Sequence, residues 1–341
     1  MFLSPSRFLK LSLWLVAGFA LTGCGLRLDT PPDALPELDA GQAGISAASR
    51  AEAAINAGSE KMAEDASLTP GVREAIGTVR DLSATRLAAL GGVWQPWPQG
   101  TPEGADPGPQ PSPAPGNVED LIQLLVDAAA TSCQAGARAP HANDAQLLTA
   151  LCAAQQLDAS HVAGIAGRKL PEPTMPVDSP AGTNPEGSTE PIADRKNLQN
   201  LIKEQTALDF ARFRMEVAAA HLSGNDRQWA LQRADSLAWD VQSLVDGGVE
   251  DVRAGQYALD FPQIKTTPDA IRLINQADAD AFAAHLKIIE LISPTGAASK
   301  KSPDQALSAL RQPWISAAKG DVTSQNRFGV PPSQIFVQLW P

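Results

Sequence analysis

Five side chains have the types and spacing to do chemistry together. Asp209 and Glu216 are seven residues apart on a helix expected over residues 192–222, on a face shared with Leu198, Ile202 and Phe213. Asp240 lies on the stripe of Trp229, Leu237 and Leu244 in the next helical segment. Asp278 and His285, again seven apart, are in line with Ile271, Ile274, Ile289 and Ile292. Polar groups on apolar stripes are the informative exceptions in a core. Converging between helices, four carboxylates and one imidazole would hold a hard or borderline cation such as Fe, Mn or Zn. The competing arrangement pairs them with Arg212, Arg214 or Arg233 as satisfied buried polar groups, the usual fate of such residues. This second arrangement is the favoured one, so no cofactor is expected. A di-iron centre in a helical bundle needs Glu on two helices and Glu-x-x-His on two others. Glu-x-x-His is absent. Its nearest relative, Asp158-Ala159-Ser160-His161, lies in an earlier segment, and Glu216 and His221 are five apart and point to different faces.

Other catalytic patterns are missing. There is no GxGxxG, P-loop, GxSxG or HExxH. Ser316-Ala317-Ala318-Lys319 has SxxK spacing, but Ser223-Gly224-Asn225 precedes it and no KTG follows. His141 reads as a surface residue. Trp94 and Trp97, flanked by prolines, read as packing of a linker on the preceding helices. No enzymatic activity is expected.

The N-terminal residues carry an address. Arg7 and Lys10 precede an apolar run, LSLWLVAGFAL over residues 11–21, and Leu21-Thr22-Gly23-Cys24 forms a lipobox. The cations stay on the cytoplasmic side, the apolar run enters the translocon, and small residues expose the bond to a peptidase. Eleven residues make about 16 Å of helix, whereas a bilayer core is about 30 Å thick. The segment is therefore expected to be a signal peptide, residues 1–23, cut off before Cys24. Two or more acyl chains, palmitate among them, on Cys24 would anchor the chain stably without a spanning helix. The expected location is the extracytoplasmic face of the cell membrane, in the cell envelope.

Loss of Arg7 and Lys10 takes the formal charge from −11 to −13. Such an acidic chain argues against nucleic acid as a partner, because nucleic acid needs basic patches. The expected partners are the membrane, through the lipid, and an envelope protein of unknown identity. Aromatic residues are scarce, with Tyr257 the single tyrosine, while Ala, Leu, Gln, Asp and Arg are plentiful. That mix favours helix over strand. Cys133 and Cys152 remain after Cys24 is lipidated. In an oxidising compartment such a pair reads as a disulfide.

Prolines divide the chain. Residues 95–116 hold eight of the 28 prolines and residues 169–191 hold six. Neither stretch can be helix or central strand, and both read as extended linkers or surface loops. Residues 24–36 are a lipid-proximal spacer. Between the breaks the chain reads as helices: a hairpin in 37–94 (37–66 and 71–90), then a second in 117–168 (117–134 and 144–166). Four more helices lie in 192–341, over 192–222, from Asn225 to about 245, from Thr267 to about 291, and from about 303 to 319. Pro313 is expected to kink or break the last of these. The apolar tail, with Phe328, Ile335, Phe336, Val337, Leu339 and Trp340, is expected to pack back on the bundle. The expected fold is all-α: N-terminal hairpins joined by Pro-rich linkers to an antiparallel four-helix bundle.

The pattern resembles a family of actinobacterial lipoproteins with a ferritin-like C-terminal domain of unknown function. The resemblance is carried by the lipobox with Gly-Leu-Arg-Leu-Asp-Thr-Pro-Pro (25–32) and by Leu90-Gly91-Gly92-Val93-Trp94. Further on it is carried by ARFRMEVAAA (211–220), Gln256-Tyr257-Ala258-Leu259 and Arg327-Phe328-Gly329-Val330-Pro331. It implies a ferritin-like helical bundle and brings no known activity with it. The expected function is a non-catalytic, membrane-tethered structural or interaction module of the envelope. The alternative is a metal-binding or redox protein on a degenerate ferritin-like bundle. A solute-binding lipoprotein ranks third, because strand patterns are nearly missing.

Overall fold

Most helices begin where the sequence offers an oxygen to the first free amides. In the computed structural model, which describes residues 34–174, 192–255, 257–258, 264–292 and 303–339, the chain is all-helical with no strand among these residues. The expected signal peptide over residues 1–23, Cys24 and most of the second Pro-rich segment lie outside the described residues, as do Trp340 and the side chains of Phe336, Val337 and Leu339. Helix α1 (Ala40–Ala63) starts at Asp39, which forms a capping box with Gln42. α2 (Pro70–Ala89) starts at Thr69 with Pro70 at its first turn. α3 (Val118–Arg138) is capped by Asn117, and α4 (Ala142–Ile165) follows a three-residue turn. α5 (Arg195–Ala220) is capped by Asp194, and α6 (Gly224–Asp246) begins after Ser223. α7 (Thr267–Leu291) starts at the expected residue, where Thr266 and Asp269 close a capping box. α8 (Pro303–Arg327) runs eight residues past its expected end, and α9 (Pro332–Leu339) lies in the tail.

Pro313 does not end α8. A proline removes one hydrogen bond from a helix interior. Here the turns beyond it carry Trp314, Ile315, Ala318 and Val322, all buried, and their burial outweighs that loss.

Packing joins segments that the prolines separate in sequence. α1 and α2 pair, α3 and α4 pair, and α1 also lies on α3. α5 packs on α6 and α7, and α7 packs on α8. α4 then packs on both α7 and α8, and α3 on α8. One core accordingly mixes Leu148, Leu151 and Cys152 with Leu208, Met215, Ile274 and Ile288. The two segments read from sequence as a hairpin module and a bundle module share this interior, and the described residues of 37–94 and 111–339 form one packed unit. α4 is the reason. Its run LLTALCAAQQL is apolar on nearly every face, so it must be surrounded. Arg311, almost fully buried on α8, donates to the Ala139 carbonyl just past the end of α3. A guanidinium there complements the negative end of the α3 dipole. Ile335 of α9 is buried with Leu157, Phe282 and Val322, so this part of the tail does pack back.

Two glycines allow the close approaches. A Cβ on Gly44 would stand 2.3 Å from the Ala135 side chain, and one on Gly58 would stand 2.4 Å from Pro115. The end of the first Pro-rich segment is thereby pinned on α1. Residues 34–36 and 95–110 belong to a separate compact unit. Within it Trp97 Nε1 donates to the Asp106 carbonyl at 2.8 Å.

Cys133 on α3 and Cys152 on α4 are disulfide-bonded, with 5.2 Å between their Cα atoms. The bond closes a loop of 18 intervening residues, for which chain entropy gives about 3 kcal/mol of stabilisation. Replacing both cysteines with alanine is expected to lower the unfolding free energy by about that amount. Guanidinium unfolding checks it, and an unchanged midpoint would mean the crosslink contributes nothing. Among the described residues no helix is long and apolar enough to cross a membrane.

Candidate functional site

The five candidate residues do not converge. α5 carries Asp209 and Glu216 away from the other three, and Arg212 takes both. Arg212 Nε is 2.7 Å from Asp209 Oδ1, and its Nη1 is 2.6 Å from Glu216 Oε1. Glu216 is half exposed, so it leaves the core stripe on which its spacing put it. The Tyr257 hydroxyl donates to Asp209 Oδ2. Its ring lies 5.1 Å from Phe210 and 5.5 Å from Phe213. Burial and the Asp209 carboxylate push the phenol up to about 12, so it stays a donor.

Asp240, Asp278 and His285 do meet, but around a guanidinium. Arg233, from α6, sends Nε to Asp278 Oδ1 at 3.2 Å and Nη2 to Asp321 of α8. His285 Nδ1 is 2.7 Å from Asp321 Oδ2, and its Nε2 is 3.4 Å from Asp240 Oδ2. Ser324 donates to Asp278 Oδ2. Asp278, His285 and Asp321 are fully buried. The Trp314 ring, 6.0 Å away, helps to wall off the imidazole.

The charges of this network nearly close. Arg233 and a protonated His285 supply two positive charges against three carboxylates. Burial pushes the Asp278 carboxyl up to about 7, with Asp321 adding to the rise and Arg233 opposing it. Burial alone would lower the imidazole, but Asp321 and Asp240 more than reverse this and hold His285 at about 9. Among the described residues no group of three or more His, Cys, Asp or Glu side chains is placed to hold a metal ion. The expected five-residue set is thus two separate sets, each organised by an arginine.

Sequence reasoning missed a second buried network. Glu52 of α1, Arg86 of α2 and Asp158 of α4 are almost wholly inaccessible. Arg86 Nε is 3.0 Å from Glu52 Oε1, and its Nη2 is 2.7 Å from Asp158 Oδ2. Gln155 Nε2 donates to Glu52 Oε1 at 2.9 Å, and Ser132 Oγ donates to Gln155 Oε1 at 2.9 Å. The four helices α1 to α4 are joined through these atoms. The signal was present: Glu52 stands between Ala48 and Ile55 on a buried stripe, and Arg86 follows Val79 and Leu82.

A cavity of about 540 Å³ opens between α6 and α8 over the Arg233 network. Trp229, Arg233, Lys319, Thr323, Ser324 and Arg327 line it. A smaller one, about 290 Å³, lies beside Asp209, Arg212 and Glu216. No protein-family model, curated protein or solved structure matches the chain. Fold and site define a class only: an all-α protein with two arginine-centred ion networks in its interior.

Proposed function

We propose that the protein is a membrane-tethered extracytoplasmic lipoprotein, held by lipid on Cys24 and acting as a structural or interaction module of the cell envelope. The lipobox supports the tether. The single observation that carries the interaction reading is Trp239. It is 73 % exposed on α6, and Leu231 of the same helix is 43 % exposed. Large apolar side chains left in water by a helix whose other face is buried favour a partner surface. The acidic groups that metal chemistry would need are taken up by Arg212 and Arg233, which supports a scaffold role over a reacting centre.

We also propose that α5 to α8 are the ferritin-like bundle of the lipoprotein family that the sequence resembles. The short turn between α5 and α6, the long connection from 247 to 266 and the polar cluster shared by α6, α7 and α8 support this.

The test is fractionation of cells expressing the full chain. The wild-type protein is expected in the membrane fraction and labelled by a palmitate analogue. Cys24→Ser is expected to stay unlabelled and to lose membrane association. A membrane-bound, labelled Cys24→Ser protein would overturn the tether. In the same cells a photo-crosslinker at position 239 is expected to capture an envelope protein that one at exposed Glu74 does not. Equal capture from both positions, or none, would overturn the interaction surface.

A further inference from the structure

The cavity between α6 and α8 is cationic in a chain of net charge −11. Lys319, Thr323 and Arg327 recur at intervals of four along α8 and face Trp229 and Arg233, four apart on α6. Among the described residues no acidic side chain lines the cavity. Arg233 is committed beneath it to Asp278 and Asp321. Arg327 meets Asp226 only at an exposed edge, 3.2 Å away. Lys319 has no ion-pair or hydrogen-bond partner among the described side chains. Burial lowers its pKa, which measures the cost of holding that ammonium without a counter-charge.

Trp229 gives the cavity an aromatic wall, and Gln156 of α4 also lines it. Trp229 meets Phe328 edge-on with 4.9 Å between centroids, and the Arg327 guanidinium lies 5.8 Å from the Trp229 ring. Ligand sites of this volume combine an apolar wall with a few convergent polar groups. Here the convergent charged groups are Lys319, which has no counter-charge among the described residues, and Arg327, whose one ion pair is at the exposed edge.

We propose that this cavity binds a small phosphate monoester with an aromatic or compact apolar body. Lys319 and Arg327 hold the phosphate oxygens, and the body rests on Trp229. Arg233 sets the floor of the cavity and is already neutralised, so it selects by shape more than by charge. A dianion suits Lys319 and Arg327 together better than a carboxylate does. The site is separate from the tether and from the exposed face at Trp239, and it does not depend on either.

Calorimetric titration of the full chain tests it, with phenyl phosphate as probe and inorganic phosphate and benzoate as controls at constant ionic strength. Phenyl phosphate is expected to bind saturably below about 1 mM. Inorganic phosphate, without the body, and benzoate, with one negative charge, are expected to bind at least about tenfold more weakly. Lys319→Gln should weaken phenyl phosphate by about tenfold or more, while Arg50→Gln, a cation elsewhere, should leave it unchanged. Far-ultraviolet circular dichroism of Lys319→Gln is expected to match the wild type. A lack of saturable binding, or equal binding by wild type and a folded Lys319→Gln, would overturn the proposal. Benzoate binding as tightly as phenyl phosphate would overturn the choice of a phosphate.

Discussion

Arg86→Met is expected to lower the unfolding free energy by about 3–5 kcal/mol, enough to unfold much of the population near body temperature. The guanidinium bridges two carboxylates, Glu52 and Asp158, which are 0 % and 2 % exposed. Burial already pushes the Asp158 carboxyl above its ordinary value, against the pull of Arg86. Without Arg86 both acids must be buried uncompensated or take up protons. Arg86→Lys is expected to rescue only part of the loss. An ammonium is a point charge and cannot present two edges to two carboxylates as the planar fork does. The informative companion is the triple change Glu52→Leu, Arg86→Met, Asp158→Leu. It removes all three charges together and is expected to cost less than Arg86→Met alone, because an ion network of this kind offsets its own desolvation and little more. Urea unfolding of the three variants gives the comparison. If Arg86→Met unfolds at the wild-type midpoint, the charges are not buried together. If the triple change is the worst of the three, the network adds net stability that apolar packing cannot replace.

Legibility in the sequence followed the range over which each feature is determined. Helix starts are local. Thr69-Pro70, Asn117 and the Thr-Pro pair at 267–268 announce theirs within four residues, and the observed caps differ by at most a position or two. Helix ends in α8 were not legible, because the decision to continue past Pro313 rests on burial of Trp314 and Val322 by other elements. The sharing of one core by α4 and the later helices was likewise hidden, since the prolines between them mark covalent breaks and say nothing about packing. At the candidate site the spacing rule found Asp240, Asp278 and His285 because each sits on an apolar stripe. It misplaced Glu216, which lies near the end of α5 and turns outward to Arg212. It could not find Asp321, because α8 was expected to stop at 319. Without Asp321 the cation at the centre of the network, Arg233, had no visible second partner.

Raising the pH is expected to destabilise the protein through the Arg233 network. His285 holds its proton to about pH 9 in the folded state, against 6.5 as the ordinary value. A folded-state value above the unfolded one means that the folded protein binds the proton more tightly. The His285 contribution is therefore fully present below about pH 6.5 and is lost as the pH rises through about 9. Asp278 works in the same direction. Its folded value of about 7 lies above 3.8, so its contribution is complete below about pH 3.8 and disappears as the pH rises through about 7. Together they predict an unfolding free energy that falls between pH 4 and pH 9. The His285 limb is on the order of 3 kcal/mol for a fully buried group. His285→Gln should flatten the limb between 6.5 and 9 and leave the lower one in place. Arg233→Met should cost about 3–5 kcal/mol at neutral pH. It should also move the Asp278 limb upward, because the carboxyl loses the cation that holds it down. Unfolding free energies measured at one-unit intervals from pH 4 to 10 decide the matter. A wild-type curve that is flat or rises from 6.5 to 9 would mean that His285 is neutral in the folded protein. Asp240 and Asp321 would then face Arg233 as its only cation, and the Arg233→Met loss would exceed that of Arg86→Met.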